Sequence, residues 1–132
     1  MMKASTELLN QLNTLTDGLL WPSEADYPFE VFVWDDLTIT PEQLCLKTGH
    51  SPDTAIKTMA IDDFFCHCTT EQDWHNEEET AEVKRYQELV SFLKENLEDV
   101  KVYKLGKCEI DIYIIGQCSG QLIGLKTKAI ET

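Results

Sequence analysis

Three β-rich segments separated by short glycine-containing turns close this sequence, and they restrict the fold more than any other feature. The segments span residues 100–105, 108–115 and 122–130, and the turns lie at Gly106 and at 116–120. Turns of this length favour antiparallel hairpins between consecutive strands. The last third of the chain is therefore expected to form three adjacent strands of one sheet.

Hydrophobic periodicity and capping signals predict the remaining elements. Leucines at helical spacing follow the cap residues Ser5 and Thr6, and threonine, proline and glutamine at 40, 41 and 43 are typical of a capping box. The predicted elements are a helix that ends near Gly18, a loop over 21–29, a strand covered on both faces over 29–34, a short helix from Thr40 to Gly49, a strand over 57–61, a helical turn over 62–65 and a long helix over 78–97.

This order of elements is neither a repeat nor a regular alternation of strands and helices. No low-complexity linker divides the chain, so residues 1–132 should form one domain. We expect an α+β fold in which one mixed sheet of about four to five strands lies between helical layers.

The charge is strongly unbalanced, with 24 acidic side chains against 11 basic ones and a net charge of −13. Direct binding to nucleic acid or to an anionic membrane is disfavoured, because both need an excess of Lys and Arg. The five cysteines are irregularly spaced and no export signal or long apolar run is evident, which predicts a reduced, cytoplasmic protein. Acidity of this kind also serves solubility alone.

Few residues suggest catalysis or metal binding. Cys66, His67 and Cys68 supply suitable side chains, but one intervening residue is a poor match to the spacing of zinc ligands. We expect Cys66 to pack beside Phe64 and Phe65 as a small apolar side chain. Phosphate-binding loops and metalloprotease motifs are absent from the sequence, so we predict that the protein is not an enzyme.

The loop over 21–27 combines large apolar and acidic side chains with Pro22, a composition suited to a protein interface. A purely structural loop explains the same composition. The chain stops at Thr132, a residue or two past the last predicted strand, which predicts that the terminal carboxylate is held in place.

Several motifs resemble the nuclease A inhibitor family, small bacterial proteins that block magnesium-dependent, sugar-non-specific DNA/RNA endonucleases. The most specific is DGLLWPSEADYPFE over 17–30. The others are KTGH (47–50), TEQDW (70–74), YKLG (103–106), DIYIIG (111–116) and TKAIET (127–132).

The resemblance implies a three-layer α/β/α sandwich on a mixed sheet and an inhibitor that fills the nuclease's active-site cleft. Glu24 would reach basic residues that normally hold substrate phosphate, and Trp74 would pack at the interface. The carboxylate of Thr132 would approach or ligate the nuclease's magnesium. The implied partner-binding residues are Ser23, Glu24, Asp26, Gln72, Trp74, Glu131 and Thr132.

The resemblance further implies a 1:1 complex between one nuclease and an inhibitor that is monomeric when free. The inhibitor would need no cofactor of its own, although magnesium would bridge the two proteins. Pro22 and the Cys66, His67 and Cys68 run depart from the family pattern, and Pro22 restricts the residue before it. The alternative is an acidic regulatory or scaffold module that binds a basic protein surface without inhibiting catalysis.

Overall fold

The computed structural model describes residues 2–21, 27–34, 39–50, 54–69, 76–118 and 120–130. Within them the chain forms four helices and seven strands. The helices are α1 (Met2–Thr16), α2 (Pro41–Lys47), α3 (Ile61–Thr69) and α4 (Glu77–Asn96), and the strands are β1 (Leu20–Trp21), β2 (Tyr27–Pro28), β3 (Glu30–Trp34), β4 (Ile56–Ala60), β5 (Glu98–Leu105), β6 (Glu109–Cys118) and β7 (Gln121–Ile130).

The main sheet has five strands in the order β3-β7-β6-β5-β4, and every neighbouring pair is antiparallel. The α+β class, the number of strands and the two C-terminal hairpins are confirmed. The expectation of a mixed sheet was wrong. The hairpins fix the directions of β5, β6 and β7, and the chain brings β3 and β4 to the two outer edges antiparallel to their neighbours.

Helices cover both faces of this sheet, as expected for three layers. Alternate residues of β6 divide between two hydrophobic clusters, because successive side chains of a strand point to opposite faces. Ile112 and Ile114 pack with α1, α3 and α4. Tyr113 and Ile115 pack on the other face with Leu44 of the short helix α2.

The capping box predicted for α2 is confirmed, and α4 begins with a second box that was not predicted. Thr40 accepts a hydrogen bond from the backbone N–H of Gln43 at 3.2 Å, and the Gln43 side chain accepts one from the N–H of Thr40 at 3.0 Å. Asn76 and Glu79 form the same reciprocal capping box at the start of α4. Each box satisfies two backbone N–H groups that have no partner within the helix.

Other boundaries differ from the prediction. Helix α1 starts at Met2, so Ser5 and Thr6 lie within it rather than before it. Serine and threonine cost only a few tenths of a kcal/mol inside a helix, and burial of Leu8 and Leu12 favours its formation. The predicted helical turn at 62–65 extends over all nine residues of α3.

Two predictions about the segment before α2 also change. The loop predicted over 21–29 contains the small antiparallel pair β1-β2, in which Leu20 opposes Pro28. Proline is tolerated there because this pair has only edge strands. Strand β3 is an edge strand rather than a fully covered one, and Val33 remains 39% exposed.

The directions of the helices and strands determine which connections lie at each end of the sheet. Lys94 near the end of α4 contacts both carboxylate oxygens of Asp62 at the start of α3, at 3.0 Å. Helix α3 follows β4 directly, and α4 leads into β5. The end of α3 and the start of α4 therefore point toward the end of the sheet where β7 finishes, which we call the β7 end.

Candidate functional site

The seven residues predicted to bind a partner lie outside the described residues. They belong to three segments, 22–26, 70–75 and 131–132, and are Ser23, Glu24, Asp26, Gln72, Trp74, Glu131 and Thr132. The structure does describe the residues that flank each segment. These flanks show which parts of the fold the three segments connect.

The flanks of segment 22–26 are paired with each other and fixed to the last strand. Trp21 opposes Tyr27 in the β1-β2 pair. The hydroxyl of Thr127 in β7 donates to the carbonyl of Pro28 at 3.1 Å, with the carbonyl of Tyr27 at 3.4 Å. Thr127 is only 4% exposed, so a partly buried hydrogen bond connects the base of the acidic loop to β7.

Segment 70–75 joins the end of α3 to the start of α4. The ring of Phe65 in α3 lies 6.5 Å from the ring of Phe29, which precedes β3, and 5.8 Å from the ring of Tyr86 in α4. These aromatic contacts hold α3 and α4 beside the start of β3. Asn76 then caps α4, accepting from the N–H of Glu79 at 2.8 Å.

Segment 131–132 follows Ile130, which opposes Glu109 as the last pair of the β6-β7 hairpin. The start of β3 lies at the same end, where Glu30 opposes Lys126 of β7. The flanks of all three segments thus lie at the β7 end. Sequence reasoning assigned the segments to one function only through the family resemblance, since they are far apart along the chain.

A cluster of three polar side chains at the β7 end, which we call the polar group, was missed by the sequence analysis. The Nε2 atom of His50 lies 2.7 Å from Oδ2 of Asp111, and the ammonium of Lys128 lies 4.0 Å from Oδ1 of the same carboxylate. His50 belongs to the KTGH motif and Asp111 to DIYIIG. Both motifs contributed to the resemblance, but neither gave any signal that the two side chains meet.

Tyr113 extends this polar group toward α2. Burial, followed by the nearby charge of Asp111, raises the pKa of Tyr113 to about 12, against a lowering contribution from its side-chain hydrogen bond with Thr48. The phenol therefore stays protonated at neutral pH and acts only as a neutral hydrogen-bonding group. The Nζ atom of Lys126 also lies 5.8 Å from the centre of its ring.

The cysteine-rich run is helical, since it falls within α3. Cys66 is exposed, so the expectation that it packs against Phe64 and Phe65 was wrong. Both phenylalanines are buried in the helical layer. Within the part of the chain that the structure describes, no group of three or more potential ligands could hold a metal ion.

A family model for nuclease A inhibitor-like proteins matches residues 6–132. The chain belongs to this family. The match covers nearly the whole sequence and confirms the resemblance that the motifs indicated. A search of curated proteins found no match. Among the described helices of this nuclease A inhibitor-like chain, none combines the length and apolar character needed to cross a membrane.

Proposed function

We propose that this chain is a non-enzymatic inhibitor of a magnesium-dependent, sugar-non-specific DNA/RNA endonuclease. One inhibitor would occupy the active-site cleft of one nuclease through its acidic loop and the carboxylate of Thr132. The supporting observation is that the flanks of three segments, 22–26, 70–75 and 131–132, lie at one end of the fold. Segments that leave the fold at the same end can enter one cleft together.

Covalent geometry supports the use of all three segments together. A residue extends the chain by at most ~3.6 Å, so Thr132 is reachable within ~7 Å of Ile130. Glu24 lies three residues from each of the paired flanks, Trp21 and Tyr27. In the proposed complex, Glu24 with Ser23 and Asp26 would face the same cleft as Thr132 and Glu131, and Trp74 with Gln72 would pack beside them.

The chemistry of a nuclease cleft favours carboxylates. Such a cleft holds substrate phosphate with Arg and Lys and binds magnesium, which prefers oxygen ligands. A carboxylate accepts charge-assisted hydrogen bonds from guanidinium groups much as a phosphate does. Glu24 would replace a phosphate at the basic residues, and the Thr132 carboxylate would replace one at the metal, with no bond to cleave. The inhibitor itself then needs no cofactor.

The overall charge and the thiols agree with this proposal. A net charge of −13 accelerates encounter with a positively charged cleft, and this acceleration falls as salt rises. Among the described cysteines, Cys45 and Cys108 are free thiols. Free thiols favour a reducing compartment such as the bacterial cytoplasm.

The decisive experiment titrates the protein, ending at Thr132, into a magnesium-dependent sugar-non-specific nuclease while DNA and RNA cleavage are both followed. We expect both activities to disappear at a 1:1 ratio. A nuclease that binds the protein but cleaves at an unchanged rate would instead support the acidic scaffold module. A panel of such nucleases that neither binds the protein nor loses activity would refute the proposal.

Glu24→Gln then tests the acidic loop. Removing the charge leaves cationic groups of the nuclease unpaired, which costs ~2–5 kcal/mol of binding free energy. Inhibition should therefore weaken by a factor between roughly 30 and several thousand. Glu95→Gln is the matched control, because Glu95 is an exposed carboxylate in the last turn of α4, away from the β7 end. Equal effects of the two substitutions would show that only the overall charge matters.

A further inference from the structure

The polar group at the β7 end connects three elements through one carboxylate. Asp111 of β6 has one oxygen 2.7 Å from His50 and the other 4.0 Å from Lys128 of β7. The His50 and Asp111 side chains are only 21% and 22% exposed. A charge-assisted hydrogen bond of this length, partly shielded from water, is stronger than a typical surface ion pair.

His50 is itself held in a fixed position by α2. Its backbone N–H donates to the carbonyl of Cys45 at 2.8 Å, and Cys45 is buried. Gly49 adopts a φ of +78°, a conformation that only glycine takes without strain, and this turn brings His50 back over the helix. The backbone of His50 is therefore held close to α2, and its ring contacts Asp111 from this position.

The contacts of Asp111 with His50 and Lys128, which we call the bridge, lie close to the end of β7. Asp111 and Lys128 are directly opposed in the β6-β7 hairpin. Two further pairs, Ile110 with Ala129 and Glu109 with Ile130, lie between them and the end of the described strand. Strand ends open more readily than strand centres. A bridge at this position connects the ends of β6 and β7 to His50, which follows α2.

We propose that Asp111 is a positioning residue, which holds the end of β7 so that the terminal carboxylate is presented in its binding position. This inference rests on the function proposed above. A tail ordered before binding loses less conformational entropy in the complex, so the bridge should improve inhibition without touching the nuclease. His50 contributes by fixing the orientation of the Asp111 carboxylate.

A double-mutant cycle separates this role from general destabilisation. Asp111→Ala is measured in the full chain and in a chain lacking Thr132, because coupled residues give non-additive effects. We expect Asp111→Ala to weaken inhibition roughly tenfold in the full chain and to have no effect once Thr132 is absent. Asp111→Asn, which still offers His50 an acceptor, should restore part of the loss.

Asp62→Ala is the control, since it breaks the ion pair with Lys94 at the opposite end of the helical layer. It should leave inhibition unchanged in both backgrounds. Hydrogen exchange of the free protein gives a second readout that needs no nuclease. The amides of Ala129 and Ile130 should exchange faster in Asp111→Ala, whereas those of Ile123 and Leu125 should not.

The outcomes distinguish this inference from the proposed function. A wild-type chain that inhibits, combined with an equal loss in both backgrounds, would overturn the positioning role and leave the function standing. Unchanged exchange at Ala129 and Ile130 would overturn it as well. A wild-type chain that fails to inhibit would overturn the proposed function, and the positioning role with it.

Discussion

Thr127→Val removes the hydroxyl that holds the base of the acidic loop against β7. Valine has nearly the same shape, so the change deletes a donor without opening a cavity. The single hydroxyl hydrogen is placed between two carbonyl oxygens, at 3.1 Å from Pro28 and 3.4 Å from Tyr27. Losing one net hydrogen bond costs about 1 kcal/mol. The carbonyl also loses this donor to a methyl group, so the free energy of unfolding should fall by ~1–2 kcal/mol.

Thr16→Val is the matched control. Thr16 is also buried, and its hydroxyl donates to the carbonyl of Leu12 at 2.8 Å. That carbonyl lies inside α1, where the backbone N–H four residues later already bonds it. We therefore expect a cost below ~0.5 kcal/mol. Urea unfolding followed by circular dichroism measures both variants against the wild type.

Inhibition of the nuclease provides the second readout for Thr127→Val. A domain with an ordinary stability of ~5–15 kcal/mol stays folded after losing ~1–2 kcal/mol. Weaker inhibition at 25 °C, by about fivefold, would then report a loop that has lost its anchor and must be ordered on binding. Equal unfolding free energies for the two valine variants would refute the hydrogen-bond reasoning, and unchanged inhibition would refute the link between this anchor and the loop.

Three further predictions concern stability. Gly124→Ala places a Cβ against the carbonyl oxygen of Ile114, closer than any real contact, so two central strands must separate and the free energy of unfolding should fall by ~3 kcal/mol or more. The control, Gly18→Ala, has open space around the new Cβ and should lose only ~1 kcal/mol from its φ of +74°. Asn76→Ala removes the cap of α4 and should cost ~1 kcal/mol, most of it recovered by aspartate, in the same urea assay. Because the pKa of Tyr113 is raised to about 12 in the folded state, the folded protein holds this proton more tightly, and the associated stability is complete below pH ~10 and lost as pH rises toward 12. Between pH 9 and pH 11, the free energy of unfolding should therefore fall by about 1 kcal/mol less in Y113F than in the wild type. Equal falls would contradict a raised pKa at Tyr113.

Local signals in the sequence predicted several features that depend on neighbours along the chain. The predicted capping box of α2 consists of residues three positions apart, and the side-chain types at Thr40 and Gln43 specify the reciprocal bonds that the structure contains. The C-terminal hairpins follow for the same reason, since short turns leave antiparallel pairing as the only option.

Features that depend on distant parts of the chain could not be predicted in this way. The β1-β2 pair has only two residues a strand, too few to form without the contact to Thr127. Nothing in the composition of β3 places it at an edge rather than inside the sheet. The contact between His50 and Asp111 joins two motifs that are well separated in sequence, and only the packing of α2 on the sheet brings them together.

Each of the three segments in the proposed site is flanked by a side chain that orders its base. Thr127 bonds the carbonyl of Pro28, which follows 22–26, and Asn76, which follows 70–75, caps α4. Asp111 contacts Lys128 in the strand before 131–132. None of these three side chains needs to contact the nuclease. In the proposed complex the acidic groups set the electrostatic attraction and its salt dependence, whereas these anchors set how much order must be gained on binding. Substituting the neutral anchors Thr127 or Asn76 leaves the charge of the binding surface unchanged, so it should accelerate dissociation while the salt dependence of association stays the same.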